Sequence, residues 1–181
     1  LPFDFDSITR AAPVAVHLWL PLIKGERLDW ALQKATEMGV ASIQLYVSER
    51  TEVQLKGERL DKKMEQWRSI LISACEQCGL NLLPQLHAPR PLPQLWSHAS
   101  TELKLIAQPG QQTLARKALA KTALTLVTGP EGGFSPAELA QAQTHDFTAF
   151  SLGERILRAE TAPVALMAAL WALHATHTSS A

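Results

Sequence analysis

Leu124-Thr125-Leu126-Val127-Thr128-Gly129-Pro130-Glu131-Gly132-Gly133-Phe134-Ser135-Pro136 is the stretch that decides the fold class. It opens as a short, apolar, β-prone run and stops at Gly129. It closes as a helix start, with Ser135 as N-cap and Glu138 three residues further on, the spacing of a capping box. A strand that hands over to a helix through a tight glycine turn is half of a βαβ unit. The same alternation runs outward in both directions. Upstream, residues 14–23 read as a strand, and Leu28, Ala31, Leu32, Ala35 and Met38 follow at helical spacing. Residues 43–47 form a second strand. Residues 60–78 form a longer helix, with Met64, Trp67, Leu71 and Ala74 along one stripe. Residues 82–86 read as a strand, and Pro89, Pro91 and Pro93 mark a loop before a short helix near Leu95 and Trp96. A strand at 103–107 and a short helix at 114–121 complete the upstream part. Downstream, a helix at 136–144 is followed by a strand at 148–152. The helix at 163–174 is apolar all round, which requires burial in a core or at a subunit interface. Strands alternating with helices predict an α/β fold with a mostly parallel sheet flanked by helices.

The composition is that of an ordinary globular domain: 181 residues, 46% hydrophobic and 19% charged. Seventeen basic and seventeen acidic residues cancel. That balance weighs against nucleic-acid binding by this piece alone, because phosphate contacts dominate such affinity. The objection lifts if basic residues cluster in space or if another region carries basic surface. No run approaches the ~18 apolar residues of a membrane span, and the start has no basic region of a signal peptide. The expected compartment is the cytoplasm. Residues 1–13, which begin with Leu1, read as a lead-in from a domain upstream, and the end of the chain, from Thr176 onward, reads as a frayed tail. Cys75 and Cys78 are the two cysteines. A structural zinc needs four ligands and a second pair is missing, so the pair reads as two small residues one helical turn apart. No metal is expected.

Two glycine-rich turns remain, both where a predicted strand ends: residues 128–135 and residues 151–162. Ligands of open parallel sheets bind beyond the carboxyl ends of the strands. Gly129, Gly132 and Gly133 permit close backbone approach to such a ligand. The first turn has no Lys-Ser or Lys-Thr of a phosphate loop, no Gly-x-Gly-x-x-Gly of a dinucleotide fold and no Gly-x-Ser-x-Gly of a hydrolase. An ATP- or NAD-dependent enzyme is therefore unsupported. On the residues alone, a ligand site and a plain pair of tight connections stay equally open.

Taken together, the segments are recognisable. Gly129-Pro130-Glu131-Gly132-Gly133-Phe134-Ser135, Ser151-Leu152-Gly153 and Arg155-Ile156-Leu157-Arg158-Ala159-Glu160-Thr161-Ala162 closely resemble the ribosomal RNA small subunit methyltransferase E family. Its members are 16S ribosomal RNA uridine N3-methyltransferases of the SPOUT class. Lys24-Gly25, residues 33–40, Glu49-Arg50 and Ala74-Cys75-Glu76-Gln77-Cys78-Gly79 agree with it in the right order. The resemblance covers the chain from about Val14 onward. It implies a SPOUT catalytic domain over residues 14–176, a tail at 177–181, and a small PUA-like RNA-binding domain upstream. It also implies a C-terminal deep trefoil knot, which general topology rules would have rejected. S-adenosylmethionine is the implied methyl donor. The implied partners are 16S ribosomal RNA or the assembled small subunit, and a second copy of the chain in a homodimer.

Carried over residue by residue, the resemblance places Gly129, Glu131 and Gly132 of the first turn around the donor. Leu152, Gly153, Ile156, Leu157 and Arg158 follow from the second turn. Glu160, Thr161 and Ala162 open the last helix. Uridine N3 is a poor nucleophile until it loses its proton, so cations beside the uracil oxygens favour reaction. Arg158 is the first choice for that role and Arg155 the second, with knot bracing as the plain alternative for Arg158. Glu131 and Glu160 are candidates for the base by charge type only. Two departures stand out: Leu80 where the family has Arg after Cys-Gly, and Ala159 where many relatives have Thr. Lys34 and Glu37 read as an ordinary surface pair, with RNA or interface contact as the alternative. The basic stretch from Lys56 to Arg68 is diluted by Glu58, Asp61 and Glu65 and reads as a solvated helix face. The rival function is a non-catalytic SPOUT-like module for RNA binding or dimerisation, which donor binding would exclude.

Overall fold

The computed structural model describes residues 10–53, 55–111 and 122–178. Six strands form one sheet: β1 Ala15–Pro21, β2 Ser42–Val47, β3 Gln85–Pro91, β4 Leu103–Ala107, β5 Ala123–Val127 and β6 Thr148–Phe150. Their order is β3-β2-β1-β5-β4-β6, and every neighbouring pair is parallel. The helices are α1 Glu26–Glu37, α2 Glu58–Cys78, α3 Pro136–Thr144 and α4 Thr161–Thr178.

Parallel strands are buried on both faces, which is why β1, β2 and β5 read as nearly continuous apolar runs. Leu18, Leu20, Ile43, Leu45, Leu124 and Leu126 carry one face into the main core. There α1 packs between α2 and α4, through residues such as Leu32, Leu71 and Leu170. The opposite face holds a second, aromatic core. Trp19, Trp96 and Phe147 meet there with ring centroids 5.1–5.8 Å apart, in the tilted and edge-on geometries that aromatic pairs favour. Short 3-10 turns at Leu92–Gln94 and Trp96–His98, together with α3, cover it.

Three expectations shift. The strand expected at 82–86 begins instead at Gln85 and runs through Pro89 to Pro91, where a proline loop was expected. Two causes combine. β3 lies at the sheet edge and pairs only with β2, so prolines that cannot donate on the solvent side are tolerated. Its ladder is also bulged: Gln44 faces His87 and Tyr46 faces Arg90, leaving one extra residue on β3. Leu82 and Leu83, expected to start the strand, are instead exposed. Second, α4 starts at Thr161 and continues to Thr178, past the point where a frayed tail was expected, because no glycine or proline follows to end it. Third, the last strand closes at Phe150 and leaves Ser151 and Leu152 to the turn. The helix expected at 114–121 lies outside the described residues. Among the described residues no helix is long and apolar enough to cross a membrane.

Candidate functional site

The carboxyl ends of β4, β5 and β6 open into one cavity of about 1180 Å³. Residues 107–109, 129–134 and 150–160 line it, with Arg27 from the start of α1 and Leu166 from α4.

The first turn is held at both ends. At its start, the Thr128 N–H donates to Trp19 O at 3.2 Å, and the buried Tyr46 hydroxyl donates to Thr128 O at 2.5 Å. The Gly133 N–H then closes the turn on Pro130 O at 2.8 Å, with Gly133 at φ 66°. At its end, the capping box forms as expected. The Glu138 N–H donates to Ser135 Oγ at 3.2 Å, and the Ser135 N–H donates to Glu138 Oε2 at 2.8 Å. Glu138 does more than cap. It is 4% exposed, and its Oε1 accepts from the Glu49 N–H at 3.0 Å, tying the turn to the loop after β2. Beside it, Arg50 Nη1 donates to Gly132 O at 2.7 Å. A Cβ on Gly132 would stand 3.2 Å from Arg50 Cβ, so this contact needs glycine or a displaced arginine.

The second turn is pinned by Ser151, whose hydroxyl donates to Gln111 O at 2.7 Å and accepts from the Gly153 N–H at 3.3 Å. Its apolar side chains are unusually open. Leu152, Ile156 and Leu157 stay exposed, Ile156 at 84%. Apolar side chains gathered at a cavity mouth mark a contact surface. The Thr161 and Ala162 N–H groups turn back onto Arg158 O at 3.0 and 2.9 Å to start α4.

Charge in the cavity centres on Glu160. Arg27 Nε lies 4.0 Å from its Oε1 and Arg158 Nη1 lies 3.9 Å from the same atom. Arg27 Nη1 also lies 3.6 Å from Glu131 Oε1, so one guanidinium spans both turns. Glu160 Oε2 is buried with no hydrogen-bond partner. An unsatisfied buried carboxylate oxygen is costly. A ligand that brings a donor or a positive charge relieves it.

The structure brings together Gly129, Glu131, Gly132, Leu152, Gly153, Arg155, Ile156, Leu157, Arg158, Glu160 and Ala162, all lining this cavity. Thr161 stands beside them at the start of α4 but does not line it. The sequence reading missed Arg27, Phe134, Leu139 and residues 107–109. Arg27 had one available signal, a cation in the first turn of the helix that follows β1. Leu80 is elsewhere: it follows the end of α2, near the amino ends of the strands, and does not line the cavity. Cys75 and Cys78 are free thiols one turn apart on α2, and burial pushes the Cys75 thiol up from its ordinary value. Among the described residues no group of His, Cys, Asp and Glu is placed to hold a metal. Lys34 and Glu37 form an ion pair at 2.7 Å.

A parallel α/β sheet with glycine turns converging on one cavity defines the class, and the model of the RNA methyltransferase domain family matches residues 10–171. A methyltransferase of Legionella pneumophila, solved with S-adenosylmethionine bound, superposes with a TM-score of 0.87. It is 40% identical, over 91% of this chain and 69% of that one. The ribosomal RNA small subunit methyltransferase E of Neisseria gonorrhoeae, also solved with S-adenosylmethionine, gives a TM-score of 0.86. It is 36% identical, over 93% of this chain and 70% of that one. The chain belongs to the ribosomal RNA small subunit methyltransferase E family. A curated member from Buchnera aphidicola subsp. Schizaphis graminum is 34% identical over 161 residues, 88% of this chain. The chain spans 65% of that relative's length.

Proposed function

We propose that this chain carries the catalytic site of an enzyme that methylates N3 of a uridine in 16S ribosomal RNA, with S-adenosylmethionine as donor. The observation that carries the reading is the orphaned Glu160 carboxylate oxygen inside a cavity walled by glycine turns. Two relatives of 40% and 36% identity were solved with that donor. When bound, the donor supplies a methyl group on a positively charged sulfur. The residues present fit it. Glu160 offers a carboxylate to a cation or to hydroxyl and amino donors. The Gly129, Glu131 and Gly132 backbone lines the cavity and offers it peptide groups, while the missing side chains of Gly129 and Gly132 make room for Phe134 and Arg50. Leu152, Ile156 and Leu157 supply apolar surface that excludes water.

What remains for the protein is alignment and charge. Holding nucleophile and methyl carbon in line removes much of the barrier. Arg158, or Arg155 as second choice, stabilises the uracil oxygens as N3 loses its proton. Glu131 and Glu160 stay the two candidate bases by charge type: Arg27 lies within 4.0 Å of both, and Glu160 is the less exposed, at 14% against 44%. β6 lies at the sheet edge while α4 packs on α1 and β1 near the middle, so the connecting segment runs back across the sheet toward its centre. That crossing supports the knotted C-terminus of the family. Ala168 and Ala172 leave an open small-residue face on α4, which supports a homodimer. The proposed compartment is the cytoplasm, where small subunits are modified.

The test separates binding from turnover. Calorimetry with S-adenosylmethionine should show saturable binding by the chain, and its absence from folded protein would leave only the non-catalytic reading. Nucleoside mass spectrometry of treated small subunits should show N3-methyluridine. Arg158→Ala, with donor affinity measured separately, should lose ~100-fold in turnover. Unchanged turnover would remove Arg158 from the chemistry.

A further inference from the structure

A second cavity, of about 180 Å³, lies on the aromatic side of the sheet toward the amino ends of the strands, away from the glycine turns. Strand register builds it. His17 on β1 stands beside Ser42 on β2 and Thr125 on β5, so all three point to one face. His87 stands beside Gln44 on that same face. The bulge in β3 adds its extra residue between His87 and Arg90, and so turns Arg90 to the same face as well. Without it the odd spacing would send the two side chains to opposite sides. His98 closes the cavity from the second 3-10 turn.

The polar atoms here divide into two groups. The neutral ones satisfy one another. His17 Nδ1 and Ser42 Oγ are 2.7 Å apart, Thr101 and Thr125 hydroxyls are 2.7 Å apart, and Gln44 Nε2 donates to the bulge carbonyl of Ala88 at 2.8 Å. The groups left over are His87, Arg90 and His98, whereas His17 is engaged by Ser42 and held toward its neutral form by burial. Arg90 has no ion pair among the described residues, and no Asp or Glu lines the cavity. In a chain whose charges cancel overall, a carboxylate-free cluster of three histidines and an arginine is a local exception. The histidines do not converge on a metal geometry. At ~30 Å³ per water the cavity holds about six waters. That is below the ~300–1,000 Å³ of small-molecule sites and suits a phosphate-sized group.

We propose that His87, Arg90 and His98, beside the His17–Ser42 pair, form an oxyanion site for a phosphate group, either a backbone phosphodiester of RNA or free phosphate. The site is separate from the donor cavity and does not rest on the methyl-transfer reading. The test follows the histidine ring signals of the 181-residue chain by NMR during titration with inorganic phosphate, and then with a short single-stranded RNA. Saturable shifts of His87 and His98 with phosphate support the site. Arg90→Gln and His98→Gln, both at exposed positions, should each weaken that binding, Arg90→Gln by about tenfold, while S-adenosylmethionine affinity stays unchanged. RNA that displaces phosphate from these rings identifies a phosphodiester; RNA that leaves them unmoved identifies free phosphate. If neither ligand moves the two rings, the proposal is overturned. Loss of S-adenosylmethionine binding by the unaltered chain would overturn only the methyl-transfer reading.

Discussion

Gly133 and His17 show how single residues set local cost. Gly133 sits at φ 66° with nothing within 4 Å of an added Cβ, so alanine there strains the backbone without touching a neighbour. Gly133→Ala should lower stability by about 1–2 kcal/mol, read as a reduced urea midpoint at constant slope. His17 responds to pH. Burial first, and the nearby His87 second, hold its imidazole below the ordinary value of 6.5. Between the two values the unfolded chain binds more protons than the folded one. Stability therefore falls as pH drops through and below about 6.5. Urea midpoints at about pH 7.5 and about pH 5.5 should show this loss, and it should shrink in His17→Gln. At this scale the sequence was legible where a residue type has few uses. Gly129 and Gly132 stood out as glycines of a turn, whereas Glu160 entered only through the family resemblance. Arg27 and Arg50 did not, because their partners lie far along the chain and only the fold makes them neighbours.

Elements were legible where local chemistry sets their ends. Ser135 and Glu138 announced the start of α3 by spacing alone, and the structure forms both hydrogen bonds of the box. β3 was illegible for the opposite reason. Its prolines carry a strong local turn signal, and only its place at the sheet edge makes them acceptable. Glu138 links this scale to the site, since one carboxylate caps α3 and holds the loop after β2. Glu138→Ala removes both charge-assisted bonds. It should cost about 2–3 kcal/mol in thermal or urea unfolding and weaken donor binding together with stability. Glu138→Asp, one methylene shorter, should keep the cap and release the Glu49 N–H. A variant with full stability and weakened donor binding would show that the link to the β2 loop serves the site.

At the scale of the whole molecule, composition and alternation gave the parallel α/β class, but not the strand order. That order is what gathers the ends of β4, β5 and β6 around one cavity, and no local pattern encodes which strands are neighbours. The all-apolar α4 was legible as a helix needing cover. In the isolated chain Leu166, Met167 and Leu170 are buried while Ala168 and Ala172 remain open. If that open face is the dimer contact, Ala168→Glu with Ala172→Glu should halve the mass measured by light scattering and leave the fold intact by circular dichroism. An unchanged mass would move the contact elsewhere.

The two borders of the sheet carry one more consequence. One border is β3, with Pro89 and Pro91 in it, and the other is β6, only three residues long. Proline and brevity both deny a passing chain the row of free backbone groups it needs to pair. Strand-by-strand growth into filaments is therefore blocked on both sides. A protein whose sheet ends this way gains colloidal safety from features that look, in the sequence, like mere interruptions.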